Sequence, residues 1–496
     1  MTSINSDFMS QLALRSLGNS SNMMTQAMER LSTGKRINSA ADDAAGLGIA
    51  TKLKAQVNSL NAAGRNASDA LALVGTIDGA LEESGEILQR MRELSVQSAS
   101  DTNTGTDRTF IQDEINALNN ELNRISTSTE FNTVKLLDGT YTDKAIQIGT
   151  GANQVFRIGI AATDSATLGA FQTNSANEAV SSTSAATAKS ALNALFAAAA
   201  DYTVKGSFGT TTAQVDAGAD ARDVAKTFNL LTGTTGITAS VITKAKIKGA
   251  DTTTYSFTLQ GKSSTASTVN FTLSSTSDQT ALKDAVNAVT GSTGIVASLT
   301  SDLSAVNLVQ EEGYDIIIGD VTSAAASKTM IVNTMDKDGG AGSDVTLTSG
   351  ATDSAAFMGQ LSLSSHKAFT VTPGNSANAF NSTGNTETSS LSSLGDINLK
   401  TQNGATNSIA VIDAAMAMIS EVRSQMGAAE NRLESTVDNL SNIAVNTQRS
   451  LSSVEDANFA SETSALTKSQ ILQQAATSML AQANQAKQSM LVLLQG

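Results

Sequence analysis

Two stretches near opposite ends of the chain carry apolar residues on a strict seven-residue period, and no proline interrupts either of them. The first runs Leu53, Leu60, Ala67, Val74, Leu81 and Leu88, with Val57, Leu71, Ile77 and Met91 in the neighbouring row. The second runs Ile412, Ile419, Met426, Leu433, Leu440, Thr447 and Val454, with Ala415, Val422, Ala429 and Ile443 beside it. On a straight α-helix a seven-residue row drifts by about 20° per heptad, so it stays buried only when the helix supercoils around a partner. Each stretch is the partner available to the other, and the two ends of the chain must meet. The sole proline, Pro373, lies outside both; inside either it would cost about 3 kcal/mol and break the rod.

After the polar loop Ser100–Thr106, Ile111, Ile115, Leu118, Leu122 and Ile125 step by four and three, which predicts a second helix folded back antiparallel on the first. The outermost segments repeat the pattern with poorer material. Ile4, Phe8, Leu12, Leu17, Met24, Met28 and Leu31 mark an N-terminal helix; Leu472, Ala476, Met479, Ala483, Ala486, Met490 and Leu493 mark a C-terminal one, with Leu494 beside the last. Ala, Met, Gln and Ser dominate both, so at about 25 cal/mol per Å² of buried apolar surface one such pair is marginal. Both ends are therefore expected to be disordered in the monomer and to order against neighbouring molecules. Gly34 predicts the end of the N-terminal helix, and Ser39-Ala40-Ala41-Asp42 a capping box that opens the next.

The middle of the chain changes period from seven to two. Ile146–Gly149 and Val155–Ile160 read as a hairpin around Thr150–Gln154, and from about 180 to 395 a Ser, Thr, Ala and Gly rich region alternates as in Tyr255–Leu259, Val269–Leu273 and Ile316–Ile318. It holds an internal repeat: DVAKTFNLLTGTTGITAS (Asp223–Ser240) returns 58 positions on as ALKDAVNAVTGSTGIVAS (Ala281–Ser298). Two copies are too few for a solenoid. The expected class is α+β and multidomain: a long helical coiled-coil shaft built from both termini with a β-hairpin, plus an inserted β-rich middle domain. The expected modules are 1–44 with 455–496, 45–178 with 396–454, and 179–395.

Composition removes several function classes. The 46 acidic residues exceed the 32 basic ones, giving a net charge of -14, so there is no overall electrostatic footprint for nucleic acid or an anionic membrane. No run of eighteen apolar residues exists, and no membrane span is expected. The chain has no cysteine, which excludes disulfides, thiolate catalysis and cysteine-ligated metals. Its one histidine, His366, argues against His-rich metal centres and a catalytic triad, and reads as a plain surface residue. Asp7, Gln11, Arg15, Asn19 and Glu29 interrupt the first thirty residues, so no Sec-type signal is visible and composition alone would suggest a cytoplasmic protein.

Short motifs add no catalytic or cofactor site. Gly149-Thr150-Gly151 begins like a dinucleotide fingerprint, but Gln154 stands at the third glycine position. Gly261-Lys262-Ser263 looks like the end of a phosphate loop whose first glycine is here Ser256. Asp101, Asn103, Gly105 and Asp107 resemble a calcium loop, yet Thr106 and Gln112 occupy the positions that need glycine and glutamate. Asp336, Asp338, Gly339 and Gly340 fail the same test, and Gln89–Leu94 reads as a solvated helix face.

The stretches LSTGKRINSAADDAAGLGIATKL (Leu31–Leu53), LQRMRELSVQSA (Leu88–Ala99) and FNTVKLLDG (Phe131–Gly139) resemble the N-terminal region of bacterial flagellins. AENRLEST (Ala429–Thr436), SQILQQAATSMLAQANQ (Ser469–Gln485) and LVLLQG (Leu491–Gly496) resemble the C-terminal region. The likeness spans roughly 1–175 and 396–496, and Thr232–Ile237 and Thr290–Ile295 look like the flagellin insert motif.

This resemblance implies a structural subunit that polymerises into the flagellar filament, serves swimming, leaves the cell unfolded through the flagellar type III apparatus and resides outside it, with no enzymatic activity and no cofactor. It implies as partners other flagellin subunits, siblings included, an export chaperone at the C-terminal segment, filament cap and hook-junction proteins, and host flagellin sensors, with neither nucleic acid nor membrane. Arg90, Leu94 and Glu114 align with positions read by the flagellin-sensing Toll-like receptor and used between subunits, and Leu491, Leu493 and Leu494 with those read by cytosolic sensors. Filament-core packing then falls to Leu12, Leu17, Met28, Leu31, Leu472, Ala476, Met479, Ala483, Met490, Leu493 and Leu494. Spacing sets Arg90 and Leu94 a turn apart beside the row Leu81, Leu88 and Met91, so both are expected on the surface. A hook-filament junction protein shares the terminal pattern. A protease-bearing flagellin needs two zinc-binding histidines that this chain lacks.

Overall fold

The computed structural model describes residues 8–175, 179–192, 200–216, 219–324, 328–374 and 386–495. Its helices are α1 (Phe8–Thr33), α2 (Ala44–Ala99), α3 (Gly105–Ser128), α4 (Ala185–Leu192), α5 (Ala221–Leu230), α6 (Thr232–Thr235), α7 (Thr280–Asn287), α8 (Thr290–Thr293), α9 (Gln402–Glu455) and α10 (Phe459–Gln495). Contacts divide the chain into two compact units, Met1–Gly75 with Asp143–Ile158 and Ala428–Gly496, and Thr76–Thr142 with Gly159–Gly427. The expected α+β class, long terminal helices with a β-rich middle, is what is observed.

In the first unit α1 pairs with α10. Gly34, at φ 71°, ends α1 and its N–H donates to the Arg30 carbonyl at 2.9 Å, the left-handed stop that glycine supplies without strain. Ser39–Asp42 does not open α2. The Asp42 carboxylate accepts from the Ser39 N–H at 2.9 Å and the Ser39 hydroxyl at 3.0 Å, closing a turn in the linker, and these bonds hold its pKa below the ordinary range. The N-cap is Asp43, which accepts from the Gly46 N–H at 2.8 Å. The two linkers are zipped together: Arg36 N–H donates to the Glu455 carbonyl at 2.6 Å, Ala457 N–H to the Gly34 carbonyl at 2.9 Å, and Arg30 pairs with Glu462 at 3.2 Å.

The expected hairpin forms from antiparallel strands Lys144–Gln147 and Val155–Ile158. A Cβ on Gly149 would lie 2.2 Å from the Gln154 side-chain oxygen, so the glycine serves close approach in a turn. Ile148 packs on Leu60, Ala63, Ala67 and Leu440. Asn66 donates to the Gln147 carbonyl at 2.9 Å, and the Arg432 guanidinium lies 5.4 Å from the Phe156 ring centre.

In the second unit α2, α3 and α9 bury Ile77, Leu81, Leu88, Met91, Ile115, Leu122, Ile412, Ala415 and Ile419. The capping box of α3 uses Thr104 and Asp107. The β-rich insert is built around the long strand Thr238–Gly249, which pairs antiparallel with Val306–Gln310, Gln360–Ser365 and Thr329–Met335. A second sheet runs Ser267–Thr272, Thr254–Gln260, Ile316–Ser323, Ser354–Phe357, Ala179–Ser182. Strands Gly169–Asn174 and Ser390–Ser393 pair with each other, Gly169 opposite Ser393, and Leu394 N–H donates to the Leu168 carbonyl at 2.9 Å. The chain thus leaves the helices and returns to them at one point.

The sequence repeat is also a structural one. Asn229 exchanges two hydrogen bonds with the Ala239 backbone at 2.8 Å each, and Asn287 does so with Ala297 at 2.9 Å. Thr232 and Thr290 hydroxyls both donate at 2.8 Å, to the Ile237 and Ile295 carbonyls. Gly236 and Gly294 adopt φ of 72° and 68°. Each copy is a helix closed by a left-handed glycine turn onto a strand.

Candidate functional site

Two surfaces collect the residues singled out by sequence. The first is the α1 and α10 pair. The side chains turned inward on α1 are Ser10, Ala13, Leu17, Ser20, Met24, Ala27 and Leu31, stepping by three and four, and on α10 Ser469, Gln473, Ala476, Leu480 and Ala483. This seam is made mostly of small residues, which let two helices approach closely but bury little area. Most of the larger apolar groups point outward: Phe8, Leu12, Leu14, Met23, Met28, Phe459, Ile471, Leu472 and Met479 are exposed, Ile471 and Met479 at 60% and 57%, while Leu17, Met24, Leu31 and Leu480 turn inward. Such a density of exposed apolar side chains marks an interaction surface.

The second surface lies where α2 meets α3. Arg90 donates through Nε and Nη2 to Glu114 Oε1 at 3.0 and 2.8 Å, and through Nη1 to Glu93 at 3.2 Å. Glu114 first and Glu93 second hold the guanidinium above its already high pKa. On the other flank Arg92 bonds Asp413 of α9 at 2.6 Å, and Arg423 of α9 returns to Asp78 at 2.9 Å. These pairs run in opposite directions along the two helices and fix their antiparallel register.

The sequence model described as bacterial flagellin N-terminal helical region matches residues 4–142, and that described as bacterial flagellin C-terminal helical region matches 409–494. B-type flagellin of Pseudomonas aeruginosa is 34% identical over 494 residues, covering 99% of both chains. A flagellin of Clostridium tyrobutyricum is 33% identical over 98% of this chain and 100% of its own, and flagellin D of Vibrio anguillarum 31% identical over 99% of both. The chain belongs to the bacterial flagellin family. Flagellins are structural proteins of the flagellar filament, and this flagellin is a structural subunit and not an enzyme.

The structure brings Arg90 and Glu114 into one half-exposed cluster but withdraws Leu94 from it. Leu94 is 1% exposed. Helix α2 is bridged to α3 through Arg90 and to α9 through Arg92, and a helix with two neighbours buries a wider arc than the single seam row, so Leu94 packs in the core and is not a surface residue. Of the terminal residues, Leu17, Leu31, Ala476 and Ala483 face the intramolecular seam, whereas Leu12, Met28, Leu472 and Met479 face outward. The side chains of Met490, Leu491, Leu493 and Leu494 lie outside the described residues, as does Ile4.

Sequence reading missed three polar contributors. Gln112 accepts from the Leu399 N–H at 2.6 Å and Asn119 donates to the Leu394 carbonyl at 3.0 Å, so buried amides of α3 hold the chain returning from the insert. Asn119, and not half-buried Leu118, completes the inner row of α3. His366 is no plain surface residue: its side chain is largely covered, with Nε2 3.4 Å from Glu421 on α9 and its ring 5.9 Å from that of Phe208. Among the described residues no group of three or more metal-ligating side chains is assembled.

Proposed function

We propose that this flagellin polymerises into the extracellular filament through the outward apolar faces of α1 and α10, and that the polymer serves swimming. The observation that carries the reading is the inversion of the terminal pair, with small residues inside and Phe8, Leu12, Met28, Ile471 and Met479 outside. Covering one such side chain is worth about 1.5–3 kcal/mol. Neighbouring subunits supply that cover, and repeated head-to-tail contacts that do not close produce a filament. In this reading residues 1–44 with 455–496 form the filament core, 45–178 with 396–454 the shaft, and 179–395 the surface insert. The absence of cysteine and the single proline suit a chain threaded unfolded through a type III export channel, met by a chaperone at its C-terminal segment and assembled between hook-junction and cap proteins.

Seeded elongation tests this. Purified monomer added to sheared filament fragments elongates them in negative-stain images, whereas the double variant Ile471→Ser, Met479→Ser retains wild-type circular dichroism and does not. Elongation by the variant at the wild-type rate sinks the proposal.

A host-sensor surface is a second reading, favoured by the half-exposed Arg90, Glu93 and Glu114 cluster. An arginine held by two carboxylates presents a fixed guanidinium edge, a common anchor in protein interfaces.

A further inference from the structure

The insert carries a cleft of about 590 Å³ on the solvent side of its largest sheet, lined by Lys246, Lys248, Ile331, Asn333, Ser343 and Asp344 among others. We propose that it binds a short carboxylated saccharide.

Strand Thr238–Gly249 turns Ala245 and Ile247 into the core, so alternation sends Lys244, Lys246 and Lys248 to the opposite face. Lys244 is used up structurally: its ammonium donates to the Lys337 carbonyl at 2.7 Å and to Asn403 at 2.9 Å. Lys246 and Lys248 have no hydrogen-bond or ion-pair partner among the described residues. Two unpaired ammonium groups side by side favour an anion, in a chain whose net charge of -14 otherwise repels one.

The neighbouring strand adds the second requirement. Asn333 stands opposite Lys246 and is 6% exposed; its Nδ2 donates to Asp344 at 2.8 Å, while its Oδ1 is buried without a hydrogen-bond partner among the described residues. Asn307, opposite Lys246 on the other side, leaves its Oδ1 in the same condition. A buried acceptor of this kind costs about 1–3 kcal/mol unless a donor reaches it. The ladder then slips: Asn333 pairs with Asp344 but Met335 with Ala341, so Gly342 and Ser343 bulge out at the cleft. Bulges of this sort re-aim side chains beside binding sites.

The two requirements together select the ligand. Sulfate satisfies the lysines but offers no donor to Asn333. A polyphosphate or nucleic acid meets the Asp344 carboxylate at the same wall. A sugar acid has a carboxylate for Lys246 and Lys248 and hydroxyl groups that donate to Asn333 Oδ1 and Asp344, and the cleft lies within the roughly 300–1,000 Å³ of ordinary ligand sites.

Calorimetric titration of the full-length monomer with trigalacturonic acid, its methyl ester and inorganic sulfate tests the assignment. The acid is expected to bind at least about tenfold tighter than the ester, since one charge-assisted hydrogen bond is worth that factor or more. The variant Lys246→Gln, Lys248→Gln should remove that preference with an unchanged melting curve, and Asn333→Ala should weaken acid and ester alike. Lys52→Gln, Lys54→Gln on α2 should bind as wild type. Absence of binding by the acid at millimolar concentration, binding that survives the double lysine substitution, or sulfate binding as tightly as the trisaccharide overturns the proposal.

Discussion

Leu94 and Arg90 sit a turn apart on α2, and their substitutions should fail in different ways. Leu94 is 1% exposed, so Leu94→Ala removes a fully buried side chain and leaves a cavity, a change that costs about 2–5 kcal/mol. Arg90→Ala removes an ion pair whose side chains are 51% and 44% exposed, and pairs so placed contribute little to folding in water. Urea unfolding of the monomer, followed by circular dichroism, should therefore show a large loss of stability for Leu94→Ala and a curve close to wild type for Arg90→Ala. Sensor binding adds the functional half. Arg90→Ala should weaken it at full stability, while the volume-conserving Leu94→Met should keep both folding, at a cost below about 1.5 kcal/mol, and binding. A stable Leu94→Met that has lost binding, or a Leu94→Ala that unfolds like wild type, would refute the assignment of Leu94 to the core.

Two further outcomes follow from the insert. Asp315 is buried, and burial first, with neighbouring Asp220 second and only partial relief from Lys189, pushes its pKa from 3.8 up to about 7; its folded form holds a proton that the unfolded form releases, so stability is full below about pH 4, falls as pH rises to about 7 and stays low above it. Asp315→Asn should match wild type at pH 4 and melt higher at pH 8, by at most about 4 kcal/mol for roughly three pKa units, and equal melting at pH 8 would contradict this. Replacing Gly169–Ser393 by a two-glycine linker should leave the α2, α3 and α9 helices folded and competent to elongate seeds, because Gly169 pairs with Ser393; a well-folded deletion that never elongates counts against the insert being dispensable.

What the sequence disclosed depended on how far each feature reaches along the chain. The rows of α2 and α9 were legible because a helix writes its buried face locally, and Leu60, Ala67, Val74, Leu81, Ile412, Ile419, Met426 and Leu433 are buried as their period requires. At the termini the apolar row divides: Leu17, Leu31, Ala476 and Ala483 face the α1–α10 seam beside Ser20, Ala27 and Ser469, which apolarity alone does not pick out, whereas Leu12, Met28, Leu472 and Met479 face outward. Leu94 failed for a related reason: local spacing counts one neighbour, and α2 has two. The insert's strands could be read from alternation, but not their order, since Lys246 meets Asn307 and Asn333 only through pairings that span dozens of residues. Small seam residues hold α1 to α10 and leave Ile471 and Met479 bare, the arrangement that the proposed polymer contact requires of a chain that is half of it. That is why terminal helices of a polymerising subunit look too weak when judged as a monomer's core.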